Sequence, residues 1–412
     1  MEYILKNGIK LIYRPGINNL TSISIGLEAG AFSEGEQYGV AHAVEHMVYK
    51  GTKSKTEDEI NKKLSSIFGF QNAMTNYPYV IYYGTLLDED FEQGVELFSD
   101  ILINPALDEA GFYEEMEIIK QELNEWDADL EQFAEDKLFY NTFNNRLKHP
   151  IIGTYDALNK ITLGDIKEFY KKNYIPSNVW IVVVSKLSFD VIKNIIEKYF
   201  LKWDNNQKYE ALNENNELLN NQINYVRRDG INVSRVQMIF SLSQINEEEL
   251  DDFKIFNEYF GEGVNSLLFN ELRTKMAIVY DVLTEISYEK GIRLYKINFT
   301  TASKENAKKA LKRVIELIKD INQNKYIFDE DMIKSLAKIK KLKELLYQEK
   351  SINIAKKLST EAVMNIKFSQ KEKYEDVLKV AKKVLSNYSA IIVYWGEKNE
   401  EQGTTTWGNF RI

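Results

Sequence analysis

Apolar and polar positions along this chain follow two alternating periods, of two residues and of three to four, which mark strands and helices in turn. Residues 3–6 and 10–13 flank Asn7-Gly8 and read as a hairpin, and 21–28 (TSISIGLE) alternates as a further strand. Residues 37–50 and 57–68 read as helices, the second with Thr56 as its N-cap. A β-rich run follows at 79–87, then helices at about 89–103, 109–131 and 164–173, then a strand at 179–185 (VWIVVVS). Residues 204–224 are polar, Asn-rich and without period, and read as a linker.

After the linker the order recurs. The strand 235–243 stands where SISIGLEAG stood, and a helix over 248–260 and the LLFNELRTK helix follow it. Strand 294–302 takes the place of VIYYGTLLD, and helices 305–321 and 328–346 take those of FEQGVELFSDIL and FYEEMEIIKQELNEW. Residues 376–396 mirror GDIKEFYKKNYIPSNVWIVVVS. A steady separation of about 210 residues implies a duplicated unit. The expected class is α+β: two homologous repeats, 1–203 and 225–412, each a mainly antiparallel sheet covered by helices.

Composition narrows the chemistry more than the fold. At 412 residues and 44% hydrophobic content, the chain is long enough for two or three domains. The net charge of −9 comes from mixed signs with no concentrated basic stripe, so nucleic acid is not an expected partner. Cysteine is absent, which excludes disulfides, thiolate metal sites and a cysteine nucleophile. Any catalytic metal must therefore rest on His and carboxylates. The opening residues MEYILKNGIKLIYRPG lack a signal-peptide pattern, and no run approaches the ~18 apolar residues of a membrane span. The expected compartment is the cytoplasm.

The chain has three histidines, and two of them fall four apart with a glutamate between, in His42-Ala43-Val44-Glu45-His46. On a helix, residues four apart share a face, so the two imidazoles converge and Glu45 reaches the same cavity. Neutral imidazoles are good zinc ligands, and a carboxylate beside a metal-polarised water can take its proton. This is the H-x-x-E-H pattern of inverzincins. Two histidines filling a helix face by chance is the bland alternative; in a His-poor chain that placement has odds well below about one in a hundred. A catalytic zinc needs a third protein ligand. His149 sits in a Pro-containing loop, whereas EEMEIIKQELNEW reads as a helix buried along Met116, Ile119, Leu123 and Trp126. Glu115 and Glu122 border that face two turns apart, and spacing leaves Glu114, Glu117 and Glu125 as alternatives.

With these residues in place, the chain resembles the pitrilysin-type inverzincin metallopeptidases over essentially its whole length. The likeness is to the branch of mitochondrial processing peptidase and its bacterial relatives above all. The family's G-x-x-H-x-x-E-H-x-x-x-K-G-T stands here as Gly39 to Thr52. The resemblance implies Glu122, 76 residues after His46, as third ligand, and Glu115 as the carboxylate that orients the site. It implies that Asn72 and Ala73, in N-A-x-T, belong to a sheet edge that pairs with extended substrate. It also implies that Arg273 and Tyr280 contact the substrate backbone and the tetrahedral intermediate. The chain departs from the family at Ser185-Lys186, at Asp129-Leu130-Glu131 and in a shortened loop at His149–Gly153, all outside the metal shell.

For activity, the resemblance implies a zinc endopeptidase with one Zn2+ per chain in the 1–203 domain and Glu45 as general base. Its substrates are extended peptides or precursor segments held in a closed chamber. Family members enclose substrate between two halves of two repeats each, and this chain supplies one half. Because it carries both the zinc motif and the Arg/Tyr element, the implied unit is a homodimer, or else a pair with a second related subunit. The alternative is a catalytically silent core or scaffold subunit of the same fold.

Overall fold

The computed structural model describes residues 1–204, 207–211, 219, 221–368, 371, 373–374, 376–395 and 403–405. Its contacts divide the chain into two compact units. The first comprises Met1–Glu125, His149–Glu214 and Leu346–Lys367; the second comprises Trp126–Lys148, Asn215–Leu345 and Phe368–Ile412.

In the order of the chain, the first unit holds β1 (Glu2–Ile4), β2 (Lys10–Pro15), β3 (Leu20–Leu27), α1 (Val40–Met47), α2 (Glu57–Ile67), β4 (Phe68–Thr75) and β5 (Val80–Leu87). Next come α3 (Phe91–Ile103) and the long α4 (Glu109–Ala128), whose last turn enters the second unit with α5 (Leu130–Thr142). Then α6 (Tyr155–Leu158), α7 (Leu163–Asn173), β6 (Val179–Ser185) and α8 (Phe189–Phe200) return to the first unit. Its six strands run in the order β1-β2-β6-β3-β5-β4, antiparallel except for the parallel pair β2–β6. The hairpin turns where Gly8 takes φ +95°, a conformation a side chain would resist. Thr56 and Glu59 form the capping box that starts α2.

The second unit continues with β7 (Gln222–Arg227), β8 (Ser234–Ser241), α9 (Glu247–Phe260), the single turn α10 (Leu267–Phe269), β9 (Val279–Glu289) and β10 (Ile292–Thr301). After α11 (Lys304–Asn322) and α12 (Glu330–Gln348), α13 (Ser351–Met364) belongs to the first unit; α14 (Val377–Val384), β11 (Tyr388–Tyr394) and β12 (Gly403–Thr405) complete the second. The second sheet runs β12-β7-β11-β8-β10-β9, again antiparallel apart from one pair, β7–β11. Strand order and the position of the parallel pair match the first sheet, so the α+β duplication read from the sequence holds.

Each sheet is covered on one face by a helix from the other end of the chain. In the first unit α13 lies on β3 and β6, burying Ala355 against Val182 and Val184. It lies so close to β3 that a Cβ on Gly26 would meet Ser359 Oγ at 2.6 Å and Val363 Cγ2 at 2.7 Å. In the second unit α5 spans β8, β11 and β10. There Glu131 pairs with Arg235 at 2.7 Å, and Glu135 with Lys296 at 2.9 Å.

Several elements differ from the sequence reading. The helix expected over 109–131 breaks at Asp129, whose carboxylate accepts from the amides of Glu131 and Gln132 and caps α5 as a separate helix. The helix read over LLFNELRTK becomes one α turn followed by a π-helical stretch, Asn270–Lys275. Helices α8 and α13 and strand β9 have no counterpart among the elements that periodicity marks. Ten residues of the 204–224 linker (205, 206, 212–218 and 220) lie outside the described residues, and Gln222–Asn224 belong to β7. Among the described residues, no helix is long and apolar enough to cross a membrane.

One glycine fixes the approach to α1. Gly30 sits between β3 and α1, where a Cβ would meet the carbonyl oxygens of Asn76 at 2.2 Å and Tyr77 at 2.5 Å. Those carbonyls accept from the amides of Ala31 and Phe32, so the backbone has no room to retreat. Gly30→Ala is expected to cost about 2 kcal/mol or more, read as a drop of several degrees in Tm. An unchanged Tm would show that this loop is free to shift.

Candidate active site

Helix α1 starts at Gly39, which takes φ +97° and faces the Ile152 carbonyl at 2.7 Å from where a Cβ would stand. The carboxylate of Glu34 accepts from the amides of Gly39 and Ala41 at 3.1 and 3.0 Å, and so supplies the cap that glycine lacks. Val40, Ala41, Ala43, Val44 and Met47 are buried, which pins the helix and turns His42, Glu45 and His46 to its open side. The two imidazoles lie edge to face, 4.6 Å between centroids.

Helix α4 brings the carboxylates. Glu115 and Glu122 stand seven apart, close to two full turns, so both reach the α1 histidines from one face. Glu122 Oε2 lies 3.5 Å from His46 Nε2 and 3.9 Å from His42 Nε2. Glu115 Oε2 lies 2.9 Å from the other nitrogen of His46, Nδ1. Glu114 and Glu117 pair instead with Lys50 and Lys120, and Glu125 is exposed. Among the described residues, His42, His46 and Glu122 form the one group able to hold a metal, their donor atoms all within 4.8 Å of one another. Ligands about 2 Å from a tetrahedral zinc stand roughly 3.3 Å apart, so the observed gaps admit such an ion with small side-chain adjustments. Two imidazole nitrogens and one carboxylate oxygen also match the ligand type of catalytic zinc sites.

The charge environment divides the roles. Burial, with the nearby His46 in support, lowers His42 to about 3 and keeps it neutral, the form that ligates. Burial also acts to lower His46. The hydrogen bond with Glu115 and the charges of Glu122 and Glu45 outweigh it, and the net shift is upward. Glu115 is held low: burial opposes this, but His46 and Lys50 prevail. It therefore stays an anion that fixes the His46 ring with Nε2 toward Glu122. Burial raises Glu45 against the hydrogen bond donated by Thr75 Oγ1 at 2.5 Å, which suits a carboxylate that must both take and return a proton.

Sequence reasoning left two contributors without a role. Thr75, at the end of β4, orients Glu45. Lys50 lies within 3.3 Å of Glu57, Glu114 and Glu115 and neutralises the acidic base of α4. Both were visible as the T of N-A-x-T and the K of the K-G-T end of the motif, but nothing local to the sequence gave them partners. Asn72 and Ala73 lie on β4, an edge strand in the first sheet. His149 is outside the cluster, stacked on Tyr38 at 3.9 Å. In the second unit Arg273 and Tyr280 are brought together, the guanidinium 5.5 Å from the centre of a ring that is 82% exposed.

Residues 17–155 match the model described as "Insulinase (Peptidase family M16)", and residues 160–338 match "Peptidase M16 inactive domain". The chain belongs to peptidase family M16. All three histidines fall within the first M16 match. The chain is 27% identical over 295 residues to a Bacillus subtilis protein named "Uncharacterized zinc protease YmxG", covering 70% of each. It is 26% identical over 201 residues to the "Probable mitochondrial-processing peptidase subunit beta, mitochondrial" of Arabidopsis thaliana, covering 48% of this chain and 38% of that one. A solved protease from Helicobacter pylori shares the M16 fold with TM-score 0.87 at 19% identity, covering 95% and 98% of the two chains.

Proposed function

We propose that this M16 chain is a zinc-dependent endopeptidase acting on extended peptides, with one zinc held by His42, His46 and Glu122. The observation that carries the reading is the convergence of two imidazole Nε2 atoms and one carboxylate beside a buried, Thr75-bonded Glu45. A zinc ion at that point would supply Lewis-acid polarisation of the scissile carbonyl and would acidify the attacking water. Glu45 takes the water's proton and returns it to the leaving amine. Glu115 keeps the His46 ring turned toward the metal. The edge of β4 at Asn72 and Ala73 pairs with the substrate backbone as an added strand, which favours unfolded segments. Arg273 and Tyr280 of the 225–412 domain hold the substrate backbone and the developing oxyanion. A homodimer, with the chamber closed by that domain of a second copy, is the active species; activity in a fraction that sediments only as monomer would refute this assembly.

The test is direct. Purified protein should carry one zinc by atomic emission and cleave internal bonds in a quenched peptide library. A chelator should abolish cleavage and zinc should restore it. A zinc-loaded dimer that cleaves nothing would overturn the assignment.

Two residue tests refine it. Glu115→Gln should weaken zinc binding about 10- to 100-fold in competition with a chromophoric chelator, because the ring it orients loses its anionic partner. Unchanged affinity would reduce Glu115 to a structural ion-pair member. Tyr280→Phe should lower kcat about 10²-fold with little change in KM, as expected for an oxyanion donor that acts only in the transition state. Equal loss in KM would point to ground-state binding instead.

A further inference from the structure

In the second unit the stretch that carries Arg273 is wound more loosely than an α-helix. After the α10 turn, Asn270–Lys275 form a π-helix, and the Met276 amide donates to the Glu271 carbonyl, five residues back, at 3.0 Å. Ala277 then takes φ +53°, a left-handed conformation that is costly for an L side chain. The Ile278 amide turns back to the Leu272 carbonyl at 3.3 Å. Strand β9 leaves at Val279, and Tyr280 comes round to place its ring 5.5 Å from the Arg273 guanidinium. An α-helix turns by about 100° per residue, so the one residue that a π turn adds decides which way everything after it points. Neither the π turn nor the left-handed alanine persists unless the surroundings hold it.

Two kinds of contact do so. Leu268, Leu272 and Val279 are buried in the second core and fix the inner side of the segment. Glu271, also buried, is tied to α11. Arg313 donates to Glu271 Oε2 from Nε at 3.0 Å and from Nη2 at 2.9 Å, and gives Nη1 to Glu316 at 3.3 Å. Lys275 bonds the other oxygen, Glu271 Oε1. Burial acts to raise the Glu271 carboxyl, but Lys275 and Arg313 outweigh it and keep it an anion. A planar guanidinium with all three nitrogens engaged has little freedom left, so the carboxylate is pinned. Glu271 thus supplies both the carbonyl that closes the π turn and the carboxylate that anchors it.

We propose that Arg313 is a positioning residue for the peptidase reaction: by anchoring Glu271 to α11 it maintains the π turn and so sets where Tyr280 stands beside Arg273. Arg313 acts only through Glu271. Its catalytic consequence rests on the roles proposed above for Arg273 and Tyr280. Without the anchor the segment relaxes toward an α-helical register. The Arg273 and Tyr280 side chains then part, while the core leucines stay in place.

Arg313→Met keeps the stem and removes the donors; Glu271→Gln keeps the shape and removes the charge. Hydrogen exchange, read by mass spectrometry on peptides covering 270–280, tests the anchor without reference to catalysis. In Arg313→Met the Met276 and Ile278 amides should exchange at least about tenfold faster, while β8 and β10 keep wild-type protection. With zinc content unchanged, kcat on a cleavable library peptide should fall about 10- to 100-fold. In a Tyr280→Phe background, Arg313→Met should lower kcat by less than about twofold more, because the hydroxyl it places is already gone. Glu271→Gln should give the same pattern at smaller size, and it serves as the test if Arg313→Met does not fold. Wild-type exchange at both amides would overturn the inference, as would faster exchange with unchanged kcat. Full additivity with Tyr280→Phe would do the same. A silent Tyr280→Phe would instead strike the oxyanion role of Tyr280 itself and confine Arg313 to folding.

Discussion

Glu45→Gln is expected to leave a folded, zinc-loaded protein that has lost 10²- to 10⁴-fold in kcat, about the contribution of one positioned acid–base group. The substitution suits the site because an amide oxygen can still accept from Thr75 Oγ1, so the packing around α1 is kept. What disappears is the proton acceptor. Burial raises the proton affinity of Glu45 against the Thr75 hydrogen bond and the His46 charge, and Gln cannot accept the proton at all. Zinc content should stay at one per chain, because Glu45 is not among the three converging ligands. Zinc by atomic emission and kcat on a cleavable library peptide decide the matter together. A variant retaining a tenth or more of wild-type activity would remove Glu45 from the chemistry.

Glu122→Ala has a different signature. It takes away one of three donors, so zinc should be lost on dialysis and activity should fall below detection with it. The side chain of Glu122 is 40% exposed, so its removal strands no buried charge, and the metal-free variant should melt with metal-free wild type. Excess zinc should restore part of the activity of Glu122→Ala by mass action, and none of the activity of Glu45→Gln. Full zinc retention in Glu122→Ala would mean that the third ligand lies elsewhere.

The convergence of the histidines and carboxylates was legible because its parts are short-range patterns: one helical turn for His42 and His46, two turns for Glu115 and Glu122. Spacing alone left five glutamates of α4 as candidates. Burial and pairing sort them: Glu114 and Glu117 are tied to lysines, and Glu122 faces the histidines. The duplication was legible because strand and helix periods recur in order. What escaped were elements whose apolar faces answer to distant sheets. Helix α13 reads as polar and weakly patterned, and its buried Ala355, Ser359 and Val363 make sense only against Gly26 and Val184 of β3 and β6. Strand β9 alternates buried Val279 and Val282 with exposed polar residues around a register shift, which blurs its period.

The distance along the chain between a sheet and its cover sets a schedule for synthesis. The first sheet has all its strands once Ser185 is made, but α13 begins at Ser351, which is 351 − 185 = 166 residues later. At a ribosomal pace of about 5–20 residues per second, one face of β3 and β6 waits roughly 8–30 s for its lid. During that interval Val182 and Val184 are open to solvent, to a neighbouring nascent chain or to a chaperone. Slowing translation between 185 and 351 should therefore lower the yield of native protein more than slowing it after 364.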